Sequence, residues 1–300
     1  NVEKWRKVSL YMTNQTDILN DAKYKPVHKH GFVGLIDVMG DDSAIVNAAR
    51  VSYGKNLEVK TPKEDRALIR YLMRHQHTTP FEMLEFKFHI KLPIFVMRQH
   101  IRHRTASVNE YSARYSEMSN EFYIPEQNYV KKQSTTNKQG REESYSDLQS
   151  SSIILDFLMS NEKAYDVYNN FINKYDLAKE LSRLVLPVSN YTECYWKIDL
   201  KNLFHYFKLR KDSHAQQEIR DFANTMYDLA KPYAPYAFEA YEDYMENSYT
   251  LSSMEIKALR DILSIYEKSP ISGSELEKMG MSKRETGDFI NKFFTANKED

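Results

Sequence analysis

The chain has 300 residues, 41% of them hydrophobic, enough to bury the core of one large domain or two small ones. Its 42 Lys and Arg are matched by 42 Asp and Glu, a neutrality that excludes the strongly basic footprint of a protein wrapped around nucleic acid. One cysteine excludes a disulfide framework, and no apolar run approaches the ~20 residues of a membrane span, so a globular cytoplasmic protein with neither membrane nor nucleic-acid partners is expected. The opening stretch, Asn1 to Asp17, is mixed polar and has no apolar signal-peptide core. The 22 tyrosines fit either subunit interfaces or an AT-rich coding bias.

A short apolar run from Val33 to Val38, set among Gly31, Gly34 and Gly40, predicts a strand or turn, and its glycines do not form a G-x-G-x-x-G fingerprint. Asp42 or Ser43 can cap a helix carrying Ile45, Val46 and Ala49, with Ser52 just past its end. A second helix is predicted from Pro62 to His75. After a polar turn at His77 to Glu82, Leu84, Phe86, Phe88 and Ile90 alternate with Glu85, Lys87, His89 and Lys91, a strand with one buried face. Pro93 opens a helix expected to carry Arg98 and Arg102 on one side, and strand-like sequence continues to Ile124. Residues 126 to 152 hold too few apolar side chains to order themselves by burial and read as a mobile loop. A core-facing amphipathic helix is expected from Ile153 to Tyr175, and a short one from Asp176 to Val185. Thr192 to Ile198 alternate as a strand, Asp199 can cap the helix after it, and a long helix is expected from Ser213 to Leu229. From Tyr249 onward, Ser252 with Glu255, Ser272 with Glu275 and Ser282 with Glu285 fit three capping boxes. These imply a helical extension, 249 to 300, that serves stability or assembly rather than nucleic-acid binding.

The chemistry concentrates between Lys87 and Asn109, which hold five Lys or Arg and three His with no carboxylate. Arg102, Arg104 and Arg114 offer forked donors to phosphate, Ser107 and Ser112 offer hydroxyls, and Glu110 supplies an acceptor. That set suits a nucleotide; the plainer alternative is an arginine-rich helix end paired with acids elsewhere. Ser112 can be proposed as a nucleophile, but no base is visible in its local sequence, which favours a phosphate-site hydrogen bonder. Cys194, on the apolar face of its strand, reads as a buried structural thiol. The histidines lack metal-binding spacing, so no metal is expected.

R-H-R, seven residues, then S-A-R, as in RHRTASVNEYSAR (Arg102 to Arg114), resembles the signature of the flavin-dependent thymidylate synthases. The resemblance extends through HTTPFE (His77 to Glu82), FYIP, RLVLP (Arg183 to Pro187) and FKLRKDSHAQQEI (Phe207 to Ile219), covering roughly Val33 to Ala240. It implies an α+β fold, a mixed sheet covered by helices, as a catalytic domain over residues 1 to 248. The implied reaction is reductive methylation of dUMP to dTMP, with methylenetetrahydrofolate as carbon donor, FAD as hydride carrier and NADPH as reductant, in a homotetramer. Position by position it implies a dUMP site of Gln99, Arg102, Glu110, Ser112, Ala113, Arg114, Arg183 and Arg210, Arg183 reaching in from a neighbouring subunit. Ser52, Thr79, Arg102, His103, Arg104, Glu110, Asp199, Lys201, His205 and His214 match FAD-binding positions, and His77 lies nearby. Asp199 stands where some relatives have Asn. Arg210, at the uracil, is the expected catalytic residue, because a guanidinium stabilises charge developing on the ring. The competing expectation is a non-catalytic nucleotide- or RNA-binding module using Arg98 to Arg114.

Overall fold

The computed structural model describes residues 18, 21–51, 61–135, 139–265 and 272–293; Ser52, expected at the flavin, lies outside the described residues. The chain divides into two compact units, one ending at Asn247 and the other starting at Ser248.

In the first unit, β1 (Tyr24–Val27) and β2 (Gly31–Met39) form a hairpin that leads into α1 (Asp42–Val51) and α2 (Pro62–Arg74). Thr61 and Glu64 close a reciprocal capping box on α2, and Pro62 fills its first turn, where no N–H is needed. A 3-10 turn, Thr79–Met83, delivers the chain to β3 (Glu85–Pro93), α3 (Ile94–His100) and β4 (Ser107–Glu110). Then come the two-stranded ribbon β5 (Lys131–Gln133) and β6 (Arg141–Ser144), the long α4 (Asp147–Asn173), the short α5 (Lys179–Ser182) and a 3-10 turn, Arg183–Val185. β7 (Tyr191–Asp199) is followed by α6 (Leu200–Arg210), α7 (Gln217–Ala230) and α8 (Pro235–Tyr241).

The five-stranded sheet runs β1-β2-β3-β7-β4. The α+β class is as expected, and the sheet, expected as mixed, is antiparallel at every described pairing. Two helices, α1 and α2, separate β2 from β3 and return the chain to the end it left, whereas a single crossover helix would have made the neighbours parallel. Phe86, Phe88 and Ile90 of β3 face Cys194, Trp196 and Ile198 of β7 in one core, closed by Leu203, Phe204 and Phe207 of α6 and by Ile219, Phe222 and Met226 of α7. Each such side chain contributes about 1.5–3 kcal/mol on burial.

β3 departs from simple alternation. Lys87 is exposed as expected, but His89 and Lys91 are buried, Lys91 completely. Both find partners: Lys91 Nζ lies 2.7 Å from Glu121 Oε2, and His89 Nε2 lies 2.6 Å from Glu193 Oε1. A buried charge survives only when paired.

Four further expectations are corrected. The strand-like sequence expected to continue to Ile124 holds one short strand, β4, and beyond it only an isolated bridge between Phe122 and Asn190. The polar segment from 126 to 152, read as loop, contains the β5–β6 ribbon and the start of α4, where Ser146 and Gln149 form a capping box. It is polar because the ribbon's side chains face largely outward, not because it lacks structure. α4 was expected to face the core, yet Leu155, Phe157, Leu158 and Met159 are exposed and its fully buried residues are Ser150, Asn161 and Tyr168. The helix expected from Ser213 begins at Gln217, after a turn in which Asp212 accepts from the His214 N–H.

The second unit holds α9 (Ser253–Ile265), α10 (Gly273–Lys278) and α11 (Lys283–Phe293), with all three serine–glutamate caps formed. Among the described residues no helix is long and apolar enough to cross a membrane.

Candidate active site

Pro93 ends β3 in extended geometry (φ −63°, ψ 147°), which starts α3 without an unsatisfied donor at that position. α3 is only seven residues long, so the expected helical pairing of Arg98 with Arg102 does not occur: the helix closes at His100, and Arg102 and His103 follow in a turn. That turn exposes Arg102 and Arg104 while burying His103 between them. Among the described residues neither arginine is ion-paired, a donor set that fits the phosphates of FAD.

The buried His103 receives the end of α6. Arg210 Nε donates to His103 Nε2 at 2.9 Å, and a second nitrogen of the same guanidinium donates to the Gln99 carbonyl at 3.4 Å. An arginine N–H can only donate, so Nε2 is the acceptor and the ring proton sits on Nδ1. Burial, then the nearby charges of Arg210 and His205, lower the His103 pKa to about 4, so the ring is neutral at physiological pH. Its ring lies 4.8 Å from Tyr206 and 5.9 Å from His205, centre to centre. His100, fully buried behind it and 3.1 Å from the Tyr206 hydroxyl, is lowered to about 3, chiefly by burial. The Gln99 side chain donates to Gln216 at 2.6 Å, tying α3 to the start of α7. Gln99, His103 and Arg210 are thus brought together as one bonded group.

The remaining expected residues form two further groups. At the far end of β3 and β7, where Glu85 faces Asp199, Lys201 pairs with Glu82 at 2.7 Å, and exposed Thr79 starts the same 3-10 turn. Both carboxylate oxygens of Asp199 accept from Asn202, so it caps α6. In the other group, Ser112 Oγ accepts from the Arg114 N–H at 3.4 Å, and Arg114 Nε pairs with Glu180 at 3.2 Å; Arg183 stands exposed on the next turn. Ala113 packs beside Met118 and Tyr168. Among the described residues no hydrogen bond joins Arg183 or Arg114 to Arg210. Glu110, on β4, accepts from Thr192 at 2.8 Å. His205 is exposed, and His214 pairs with Asp212. Cys194 is buried and its thiol is pushed up by that burial and by Glu110 and Glu193, so it is no nucleophile.

Sequence reasoning missed Gln216, Glu82, Glu180 and Thr192 as partners. Glu82 and Gln216 lie inside the quoted motifs HTTPFE and FKLRKDSHAQQEI and were within reach; nothing local marks Glu180 or Thr192.

Exposed arginines ready for phosphate, beside a guanidinium fixed on a neutral imidazole, define a nucleotide-handling enzyme on an antiparallel α+β scaffold. Residues 34–236 match the model of the family described as thymidylate synthase complementing protein. The chain is 52% identical over 242 residues to a flavin-dependent thymidylate synthase of Dictyostelium discoideum, covering 78% of each chain. It is 48% identical over 276 residues to one of Wolbachia pipientis wMel, covering 90% of this chain and 93% of that one. A solved UMP/dUMP methylase, PolB from Streptomyces cacaoi bound with 5-Br dUMP, superposes with a TM-score of 0.68 at 32% identity, over 74% of this chain and 99% of that one. The chain belongs to this family, that of the flavin-dependent thymidylate synthases.

Proposed function

We propose that the His103-held guanidinium of Arg210 is the catalytic group of a reaction in which dUMP is reductively methylated to dTMP. As a member of its family the chain is a flavin-dependent thymidylate synthase, a methyltransferase of dTMP biosynthesis. The observation that carries the site reading is the Arg210 Nε to His103 Nε2 bond: with the Gln99 carbonyl holding a second nitrogen, it fixes the guanidinium and leaves the third nitrogen, Nη1, for a substrate. Placed against a uracil, it stabilises negative charge on the ring oxygens as C5 attacks the carbon donor. Arg102 and Arg104 hold anionic phosphate, and Gln99, Glu110, Ser112, Ala113 and Arg114 line the nucleotide. Bound FAD supplies the hydride that completes the methyl group, drawn from NADPH, and methylenetetrahydrofolate supplies the carbon. The chain's own part is to position and polarise.

The assembly is a homotetramer in the cytoplasm. Exposed Leu155, Phe157, Leu158 and Met159 on α4, with Leu181 and Leu184 just beyond it, give an apolar face that a second copy can cover. Arg183, unbonded to the Arg210 group, is then free to complete a neighbour's site. Family membership favours the enzyme over a non-catalytic nucleotide- or RNA-binding module. The test is direct: purified protein carries FAD and releases tritium from [5-³H]dUMP only with NADPH and methylenetetrahydrofolate. Protein that binds dUMP yet neither binds flavin nor releases tritium overturns the proposal.

A further inference from the structure

A cavity of about 770 Å³ is lined by none of the residues assigned above to dUMP or FAD. It lies beneath the β5–β6 ribbon, with aromatic walls from Phe95, Tyr123, Tyr129 and Tyr145. Its floor is a built polar network rather than chance surface. Glu218, 2% exposed, accepts from the Tyr123 hydroxyl at 2.8 Å and pairs with Arg141 through both oxygens at 3.1 and 3.0 Å. One polar group in it lacks a partner: Asn161 is 5% exposed, its oxygen accepts from Ser189 at 2.9 Å, and its Nδ2 has no hydrogen-bond partner. A buried amide N–H without an acceptor destabilises the fold, a loss that an acceptor in the cavity would recover.

A second cleft, about 430 Å³ and polar, shares Tyr129, Lys131, Arg141 and Gln216 with the first and is lined also by His214, a position matched above to FAD. The two are therefore one furrow running under the ribbon. The polar end holds Lys131 and Arg220, neither of them ion-paired among the described residues, and the buried Nε of Arg220 has no hydrogen-bond partner. Gln216, common to both clefts, is the residue bonded to Gln99 of the Arg210 group, so the furrow opens beside that group.

We propose that this furrow binds the distal half of a co-substrate, an elongated molecule with an aromatic body and an anionic tail. The ring lies among the aromatic walls, a carbonyl beside it accepts from Asn161 Nδ2, and the tail's charges lie between Lys131 and Arg220. The inference rests on the reading of the chain as a synthase with organic co-substrates. Carboxylates of a glutamyl chain and phosphates of a dinucleotide share the required charge, and three probes separate them: p-aminobenzoyl-monoglutamate, p-aminobenzoyl-triglutamate and adenosine 2′,5′-bisphosphate.

Titration of the flavin-loaded protein should show binding of the triglutamate probe about tenfold tighter than the monoglutamate, since each added charge-assisted bond is worth about that factor. Lys131→Ala and Arg220→Ala should each erase that advantage, and Asn161→Asp, which keeps the Ser189 bond but removes the donor, should weaken both aryl probes. Adenosine 2′,5′-bisphosphate binding with the same dependence on Lys131 and Arg220 would keep the site and assign it to phosphate. Lys131 is exposed, so its substitution leaves the fold intact if Arg220→Ala does not. Binding of no probe, or binding indifferent to Lys131 and Asn161, overturns the proposal. Tritium release by the same preparation keeps the two readings apart: turnover without probe binding removes the furrow alone, and probe binding without turnover removes the synthase reading alone.

Discussion

Arg210 carries five N–H donors, and its surroundings commit two of its nitrogens, one to the imidazole of His103 and one to the backbone of Gln99. A flexible side chain is thereby held in one orientation before any ligand arrives, which is how a small distance error is kept out of the reacting geometry. The acceptor is a particular atom, so substitutions separate it from mere bulk. Gln at position 103 places an oxygen near the former Nε2 and should retain kcat within about threefold, whereas Asn, which reaches only the Nδ1 position, and Leu should each lose about tenfold or more. Steady-state kinetics with flavin content as the control checks this; Asn matching Gln would contradict the assigned acceptor.

The same imidazoles shape the response to acid. His100 and His103 have folded-state pKa values of about 3 and 4, below the unfolded value near 6.5. Between about pH 6.5 and 4 the unfolded chain therefore binds more protons than the folded one, and stability falls as the pH is lowered through that window. The denaturation midpoint should track this, with a shallower slope in His103→Gln. At this scale the sequence was partly legible. Arg210 and His103 each stood in a recognisable motif, but their bond spans 107 positions, and no spacing rule reaches that far.

Among the elements, those with a local chemical signature were readable. α2 shows its Thr61–Glu64 box and its proline, and the three helices of the second unit show their serine–glutamate caps. β4 lies within the stretch expected to be strand-like, but its bounds were not legible because all four of its side chains are exposed, leaving no alternation to detect. The β5–β6 ribbon was missed for a similar reason, and what holds it is a tertiary bond, Arg141 to buried Glu218. Glu218→Gln should weaken that anchor by about 2 kcal/mol, less than for a fully buried pair because Arg141 is partly exposed. Hydrogen exchange should quicken in 131–144 while the β3–β7 ladder stays protected; unchanged exchange in the ribbon would argue that other contacts fix it.

For the whole molecule, the fold class was legible through the family resemblance of the motifs, and the strands and helices that the sequence marks agree with it. What covers the outer face of α4 did not, because a helix patterned for burial looks the same whether its own core or another copy covers it. Leu158→Glu should therefore shift the protein to a smaller species by light scattering and abolish turnover with it, while a tetramer of undiminished activity would exclude that face. Mixed oligomers of Arg183→Ala with Arg210→Ala should recover activity that neither has alone, if the site is shared between copies.

A role of Arg210 at the substrate, rather than at the cofactor or in the fold, predicts that its loss spares flavin binding and removes turnover. It is tested most directly by measuring bound flavin and tritium release from [5-³H]dUMP on one sample of Arg210→Ala. The expected result is a full complement of FAD with turnover reduced about a hundredfold or more, the scale of losing one preorganised donor at a developing charge. An Arg210→Ala protein that keeps both its flavin and its turnover would contradict the account.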